Sequence, residues 1–173
     1  MTASTAAELK PTRAERQPAG RPYHDLARLI ERLHRRFLDV VRIELARLGV
    51  EDISPVQALM MMTIGGGEEL SVRDLIERGY YLGSNASYNL KHLVEAGYVD
   101  RAQSQRDRRS ARLRLSPRGA ELVAELRRLE TSHIDNLVRG DAEGQDLEAT
   151  YRTLRRLERT WTDVIRYDAT DFD

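Results

Sequence analysis

Apolar residues recur every three or four positions over three long stretches of the chain, the spacing typical of amphipathic helices. The first stretch runs from Tyr23 to Gly49, and its apolar positions are Leu26, Ile30, Leu33, Phe37, Val40, Val41, Leu45 and Leu48. The second covers residues 117–137. The third carries a near-heptad stripe of Leu147, Tyr151, Leu154, Leu157, Trp161 and Val164. The pattern predicts one long helix at the start of the chain and two at its end.

Shorter elements lie between these stretches. Ser54-Pro55-Val56-Gln57 is a helix start in which Ser54 is the N-cap, Pro55 takes the first position and Gln57 closes a capping box. Ser71, with Asp74 three residues later, starts a third helix, and Ser84 is placed to cap a fourth that ends at Gly97. The order of elements is therefore three short helices enclosed by long ones.

A hairpin is predicted after the fourth helix, with strands at residues 98–101 and 111–115. In the second strand Leu113 and Leu115 alternate with Arg112 and Arg114, so one face is expected to be buried and the other basic. The fold class is thus mainly α with one small β-hairpin.

Charge is distributed unevenly along the chain. The segment from Arg101 to Arg118 holds seven arginines and one aspartate, while the whole chain has a net charge of zero. A segregated basic segment beside a helix that can enter a groove favours binding to a polyanion, and DNA in particular.

The fourth helix carries an apolar arc of Ala86, Leu90, Leu93 and Val94 on one side. The opposite arc and its flanks hold side chains that can read the major groove, namely Ser84, Asn85, Ser87, Tyr88, Asn89, Lys91 and His92. A merely solvated polar face is the alternative for any such helix. The adjoining capped helix and basic hairpin favour DNA contact.

The hairpin tip is the second candidate DNA contact. Its charged residues are Arg106, Asp107, Arg108 and Arg109, followed by Arg112 in the strand. The carboxylate of Asp107 can pair with one guanidinium and hold the turn while another arginine reaches a phosphate or a narrow minor groove. A soluble charged turn is the alternative.

These residues resemble the multiple-antibiotic-resistance regulator (MarR) family of bacterial transcription factors. The resemblance covers about residues 23–166 and rests on the helix order, on Leu93 to Val99, and on a wing signature of Asp107, Arg109, Arg112, Leu115, Ser116 and Gly119. It implies that Arg109 enters the minor groove with Asp107 as its brace. It also implies a winged helix-turn-helix lobe at about 54–116, flanked by dimerisation helices at about 23–48 and 117–166. Residues 1–22 are expected to be a flexible tail and residues 167–173 an acidic tail.

A homodimer is expected because the terminal helices leave apolar surface that one chain of this size does not cover. The residues expected at that interface are Leu26, Ile30, Tyr151, Leu154, Leu157 and Trp161; a helical bundle within one chain is the alternative. The resemblance further implies a small-molecule effector, for which His34, Arg35 and Met61 are candidate pocket residues. Methionines at helical spacing are more often core residues.

Enzyme chemistry is not expected. The chain has no cysteine, its four histidines lack metal-ligand spacing, and Gly65-Gly66-Gly67 lacks the Lys-Ser/Thr of a phosphate loop. No cofactor or metal is predicted. The absence of a membrane-length apolar run and of a signal-peptide core predicts a cytoplasmic protein.

The function predicted from the sequence is a sequence-specific DNA-binding transcriptional repressor. As a homodimer it would act on a pseudo-palindromic operator and be released by a small-molecule effector. The alternative is a winged-helix protein-interaction or architectural module without a ligand response.

Overall fold

The computed structural model describes residues 20–66, 70–79, 83–103 and 111–168. Within these ranges the chain forms six helices and three strands. In chain order they are α1 (Gly20–Arg47), α2 (Pro55–Ile64), β1 (Leu70–Ser71), α3 (Val72–Gly79), α4 (Gly83–Glu95), β2 (Val99–Gln103), β3 (Ala111–Leu115), α5 (Pro117–Leu137) and α6 (Asp141–Asp168). Of the described residues, those up to Gly119 form one compact unit and those from Ala120 form a second.

The start of α2 confirms the predicted capping box. The backbone N–H of Gln57 donates to Ser54 Oγ (3.3 Å), and the N–H of Ser54 donates to Gln57 Oε1 (2.8 Å). The start of α3 has the same reciprocal arrangement, because the N–H of Asp74 donates to Ser71 Oγ (3.1 Å) and the N–H of Ser71 donates to Asp74 Oδ2 (2.8 Å). Both helices therefore begin where local side chains satisfy their first backbone donors.

Glycines end α1 and α4 in left-handed conformations. Gly49 has φ 69° and Gly97 has φ 76°. After α4, the N–H of Tyr98 donates to the carbonyl of Leu93 (2.9 Å) and the N–H of Gly97 to that of Val94 (3.1 Å), which is a Schellman motif. This turn brings the chain directly from α4 into β2.

The three strands form an antiparallel sheet in the order β1-β3-β2. The predicted hairpin is present, with Val99 opposite Leu115 and Arg101 opposite Leu113. The sequence analysis missed β1, which places Leu70 opposite Leu113 and Ser71 opposite Arg112. Two residues are too few to show alternation, and Ser71 also serves as the cap of α3.

The first unit is built around residues that are almost completely buried. They come from four helices and two strands and include Leu45, Ala58, Met60, Met61, Leu75, Leu93, Val99 and Leu113. In the second unit Leu122, Val123 and Leu126 are buried, whereas α6 leaves large apolar side chains exposed. In the described ranges, no helix has both the length and the apolar character needed to cross a bilayer.

Several predicted boundaries need correction. The first hairpin strand covers Val99–Gln103 instead of residues 98–101. The first helix begins at Gly20 instead of Tyr23. The fourth helix includes Gly83, which places Ser84 inside the first turn and not at the cap. The last helix extends to Asp168, two residues into the predicted acidic tail. Helix ends depend on local caps that periodicity does not reveal.

Candidate nucleic-acid interface

Helix α4 is fixed in rotation by its apolar side. Ala86 and Leu93 are fully buried and Leu90 is almost so. Because these residues recur at spacings of three and four, burying them turns the opposite face of α4 to solvent. The predicted inward arc of this helix is confirmed at these three positions.

The outward face of α4 is polar. Five of the predicted contact residues are exposed there, namely Ser84, Asn85, Ser87, Tyr88 and Lys91. Tyr88 is the most prominent, with 70% of its surface exposed. Lys91 Nζ lies 3.7 Å from Glu95 Oε1, a separation at which the ammonium is only loosely paired. The face therefore offers hydroxyls, an amide, a phenol ring and a cation.

Asn89 and His92 are oriented differently from the other predicted contacts. Asn89 is half-buried, and its Nδ2 donates to the backbone carbonyl of Asn85 (2.8 Å). His92 is also half-buried, and its buried Nδ1 has no hydrogen-bond partner within the described part of the chain. The helical period places Asn89 on a flank and His92 on the outward arc, so the partial burial of His92 differs from the prediction.

The wing strands have the predicted basic face. Leu113 is buried while Arg114 is exposed and Arg112 half-buried, so the two arginines share the face away from the core. Asp100 on β2 lies opposite Arg114. The predicted tip contacts, Arg106, Asp107, Arg108 and Arg109, fall outside the described residues.

Three residues at the base of the wing form a cluster that the sequence analysis did not identify; we call Asp52, Tyr98 and Arg118 the wing-root cluster. The Tyr98 hydroxyl donates to Asp52 Oδ1 (2.8 Å), and Arg118 Nη2 donates to Asp52 Oδ2 (2.9 Å). Arg118 Nη1 also donates to the carbonyl of Ala96 (2.8 Å), and its guanidinium carbon lies 4.0 Å from the centroid of the Tyr98 ring. Arg118 is thus engaged within the protein.

The wing-root cluster shifts the pKa values of its members. Partial burial opposes ionisation of Asp52, but the hydrogen bonds from Tyr98 and Arg118 and the charge of Arg118 outweigh it and lower the pKa of this carboxyl. Burial, followed by the hydrogen bond to Asp52 and its charge, raises the pKa of Tyr98 to about 12. Asp52 is therefore charged and Tyr98 neutral at physiological pH.

An ultraviolet titration of tyrosinate should detect this cluster. We expect one of the seven tyrosines to ionise at about pH 12, and this component should be missing in Tyr98→Phe and shifted to lower pH in Asp52→Ala. The cluster also makes stability depend on pH. The stability contributed by the neutral Tyr98 phenol is complete below its pKa in the unfolded chain, about 10, and it is lost as the pH rises through its folded pKa of about 12. The stability contributed by the ionised Asp52 carboxylate is complete above pH 3.8, the unperturbed value, and it is lost as the pH falls through the lowered pKa of Asp52. A late component that persists in Tyr98→Phe would contradict the assignment.

The residues predicted at the dimer interface are partly or largely accessible. Leu26 and Ile30 on α1 are half-buried, as are Leu154 and Leu157 on α6. On the same stripe of α6, Tyr151 is 62% and Trp161 36% exposed.

The candidate effector residues do not share a surface. Met61 is fully buried in the core of the first unit, whereas His34 and Arg35 are exposed on α1. Arg35 forms an ion pair with Glu31 on the same helix (3.0 Å).

The winged-helix class of DNA-binding folds is defined by a short helix pair, here α3 and α4, and a basic hairpin, here β2 and β3, which pairs with β1 in a three-stranded sheet. Comparison with known proteins identifies the family. The model of the MarR family matches residues 51–110, which include α2, α4 and the start of the wing. A transcriptional activator of exopolysaccharide II synthesis from Rhizobium meliloti, ExpG, is 49% identical over 145 residues, covering 84% of this chain and 74% of that protein. The chain belongs to the MarR family of DNA-binding transcriptional regulators.

Solved structures share the fold. FabT from Streptococcus pneumoniae, determined in complex with DNA, aligns with a TM-score of 0.62 at 22% identity, over 80% of this chain and 99% of that one. A MarR regulator from Methanosarcina mazei aligns with a TM-score of 0.68 at 16% identity, over 79% and 99%. The apo form of MarR from E. coli aligns with a TM-score of 0.59 at 21% identity, over 75% and 96%.

Proposed function

We propose that this protein is a homodimeric regulator of transcription that reads a pseudo-palindromic operator with the outward face of α4. The observation that carries the proposal is that face itself, on which Asn85, Tyr88 and Lys91 are exposed beside two serines while the opposite side is locked in the core. An amide can pair with adenine, a phenol can contact a thymine methyl or a phosphate, and an ammonium can pair with a phosphate.

The wing supplies the second contact in this proposal. Arg112 and Arg114 share the outer face of β3, and the sequence continues that basic character through Arg106, Arg108 and Arg109 at the tip. Arginine suits phosphates and the negative potential of a narrow minor groove. The major-groove helix would set the sequence preference, and the wing would add affinity.

Dimerisation is supported by the apolar surface of the second unit. Exposed large side chains on α5 and α6 include Ile134, Leu137, Tyr151, Trp161, Val164 and Ile165. Exposed apolar side chains in this number favour burial against a partner. A second copy of the chain is the proposed partner, since a two-fold dimer places two recognition helices about one DNA turn apart.

The direction of regulation is the finer part of the proposal. Sequence analysis favours a repressor, whereas the name of the Rhizobium meliloti relative favours activation, at genes for exopolysaccharide synthesis. A promoter fusion assayed with and without the protein separates the two. Release by a small-molecule effector belongs to the same finer part of the proposal, with His34 and Arg35 exposed on α1 and Met61 buried in the core. A cytoplasmic location follows from the proposed DNA target.

Selection from duplexes with a random core, carried out at two salt concentrations, tests the proposed function. Recovery of a pseudo-palindrome with half-sites about ten base pairs apart would support a dimeric, sequence-specific regulator. Weak binding that selects no sequence and disappears with salt would favour the protein-interaction module instead. The selected sequence then provides the operator for the variants below.

Substitutions on α4 should distinguish base-specific contacts from contacts that do not depend on DNA sequence. We expect Asn85→Ala and Tyr88→Ala each to reduce discrimination between operator and random DNA by about 1–3 kcal/mol, the value of one good base contact. Asn89→Ala is the matched control, because its amide already bonds the helix backbone, and it should leave discrimination nearly unchanged. Binding isotherms on both DNAs measure the ratio. Equal losses on operator and random DNA for both Asn85→Ala and Tyr88→Ala would show that α4 does not read bases.

A further inference from the structure

Arg118 connects three segments that are distant in sequence. It lies in the first turn of α5, and its guanidinium bonds Asp52 in the segment between α1 and α2 and the carbonyl of Ala96 at the end of α4. Tyr98, on which the guanidinium stacks, directly precedes β2. The recognition helix and the wing therefore meet at this one side chain.

The chemistry of the wing-root cluster favours fixed geometry over a large gain in stability. The Asp52–Arg118 pair is partly exposed, and exposed ion pairs contribute little to folding. Asp52, however, accepts from two different segments at once, and the planar guanidinium is held from one side by Tyr98 and at its edge by two acceptors. Such an arrangement restricts the angle between the elements that it joins.

The neighbouring hydrogen bonds fix the same junction. Ser116 Oγ donates to the carbonyl of Gly97 (2.7 Å), and the N–H of Ser116 donates to the carbonyl of Tyr98 (3.0 Å). The last residue before α5 is thus tied to the turn between α4 and β2, next to Arg118.

We propose that Asp52, Tyr98 and Arg118 are positioning residues for DNA binding, which touch no DNA and hold the end of α4 against the base of the wing. The proposal rests on the proposed function, in which α4 and the wing must reach adjacent grooves together. The competing role for Arg118 is a direct phosphate contact, as its place in the basic segment suggests.

Asp52→Ala distinguishes the two roles by the sign of its effect. If Arg118 contacted phosphate, removing its acidic partner would release the guanidinium and strengthen DNA binding. If Asp52 is a positioning residue, Asp52→Ala should lower the affinity for the operator about 10-fold, although the variant protein is more positive. The salt dependence of binding should stay unchanged. The matched control is Asp39→Ala on α1, which removes an equally exposed carboxylate from Arg42 (2.6 Å) and should not weaken binding.

Variants of the other two residues complete the test. Arg118→Lys keeps the charge but loses the planar fork, so we expect an affinity loss of about 10-fold, similar to that of Asp52→Ala, and a double variant no worse than either single one. Tyr98→Phe keeps the ring and loses only the hydroxyl, and it should lose about 3-fold. If circular dichroism shows that Asp52→Ala or Arg118→Lys is incompletely folded, the affinity of Tyr98→Phe serves as the test instead.

Two results would overturn the positioning role: tighter binding by Asp52→Ala, or wild-type affinity in Arg118→Lys. Failure of the proposed function is seen separately, because the wild-type protein would then select no DNA sequence. Losses confined to Asp52, Tyr98 and Arg118 variants, with an unchanged salt slope and an unaffected Asp39→Ala control, would support the positioning role.

Discussion

Replacing Trp161 by glutamate is expected to convert the protein into monomers and to lower its affinity for the operator about 100-fold or more, because two linked half-sites bind far more tightly than one. The indole is 36% exposed on the apolar stripe of α6, so a carboxylate there would be buried without a partner in a dimer interface. Sedimentation velocity measures the oligomeric state, and a gel-shift titration measures the affinity.

The control for this experiment places the same charge on another face of α6. Ala149→Glu introduces a carboxylate at an exposed position about 120° around the helix from Trp161, and it should leave the dimer intact. Tyr151→Glu, on the apolar stripe and 62% exposed, should dissociate the dimer and guards against a folding defect specific to Trp161. An unchanged sedimentation coefficient in both stripe variants would rule out this face as the interface.

The helices could be predicted from sequence because their determinants are local. The Ser54–Gln57 capping box lies within four residues, and the burial of Ala86, Leu90 and Leu93 follows from a repeated spacing. Strand β1 could not be predicted in this way. It is two residues long, and it exists because Leu70 meets Leu113, 43 positions away, in the register of the sheet.

The candidate DNA-binding site also has features that are set locally and features that are set by distant contacts. Exposure of Ser84, Asn85 and Tyr88 follows from the helical period, but the partial burial of Asn89 and His92 depends on neighbours that the period does not specify. The sequence places Arg118 in the basic segment because six other arginines lie between Arg101 and Arg114. Its partner, Asp52, lies 66 residues earlier, and only the folded chain shows that this arginine is already paired.

Gly119 marks the position where the smallest change should have the largest effect on folding. A Cβ at this residue would lie 2.1 Å from the carbonyl oxygen of Tyr98 and 3.1 Å from its carbonyl carbon. That oxygen is backbone, and it already accepts from the N–H of Ser116 (3.0 Å). A rotamer change therefore cannot relieve the clash, and the start of α5 must move away from the turn between α4 and β2.

We expect Gly119→Ala to destabilise the protein by about 3 kcal/mol or more, at the upper end of overpacking effects, and to lower its melting temperature by about 6–12 °C. The matched control is Gly144→Ala in the first turn of α6, where the nearest side-chain atom would be Val138 Cγ1 at 3.8 Å. With room for the methyl group, that substitution should be neutral or stabilising by about 0.5–1 kcal/mol, since alanine favours a helix. Calorimetry on the two variants compares one substitution in two environments, and equal melting temperatures would mean that α5 does not approach Tyr98 as closely as the structure shows.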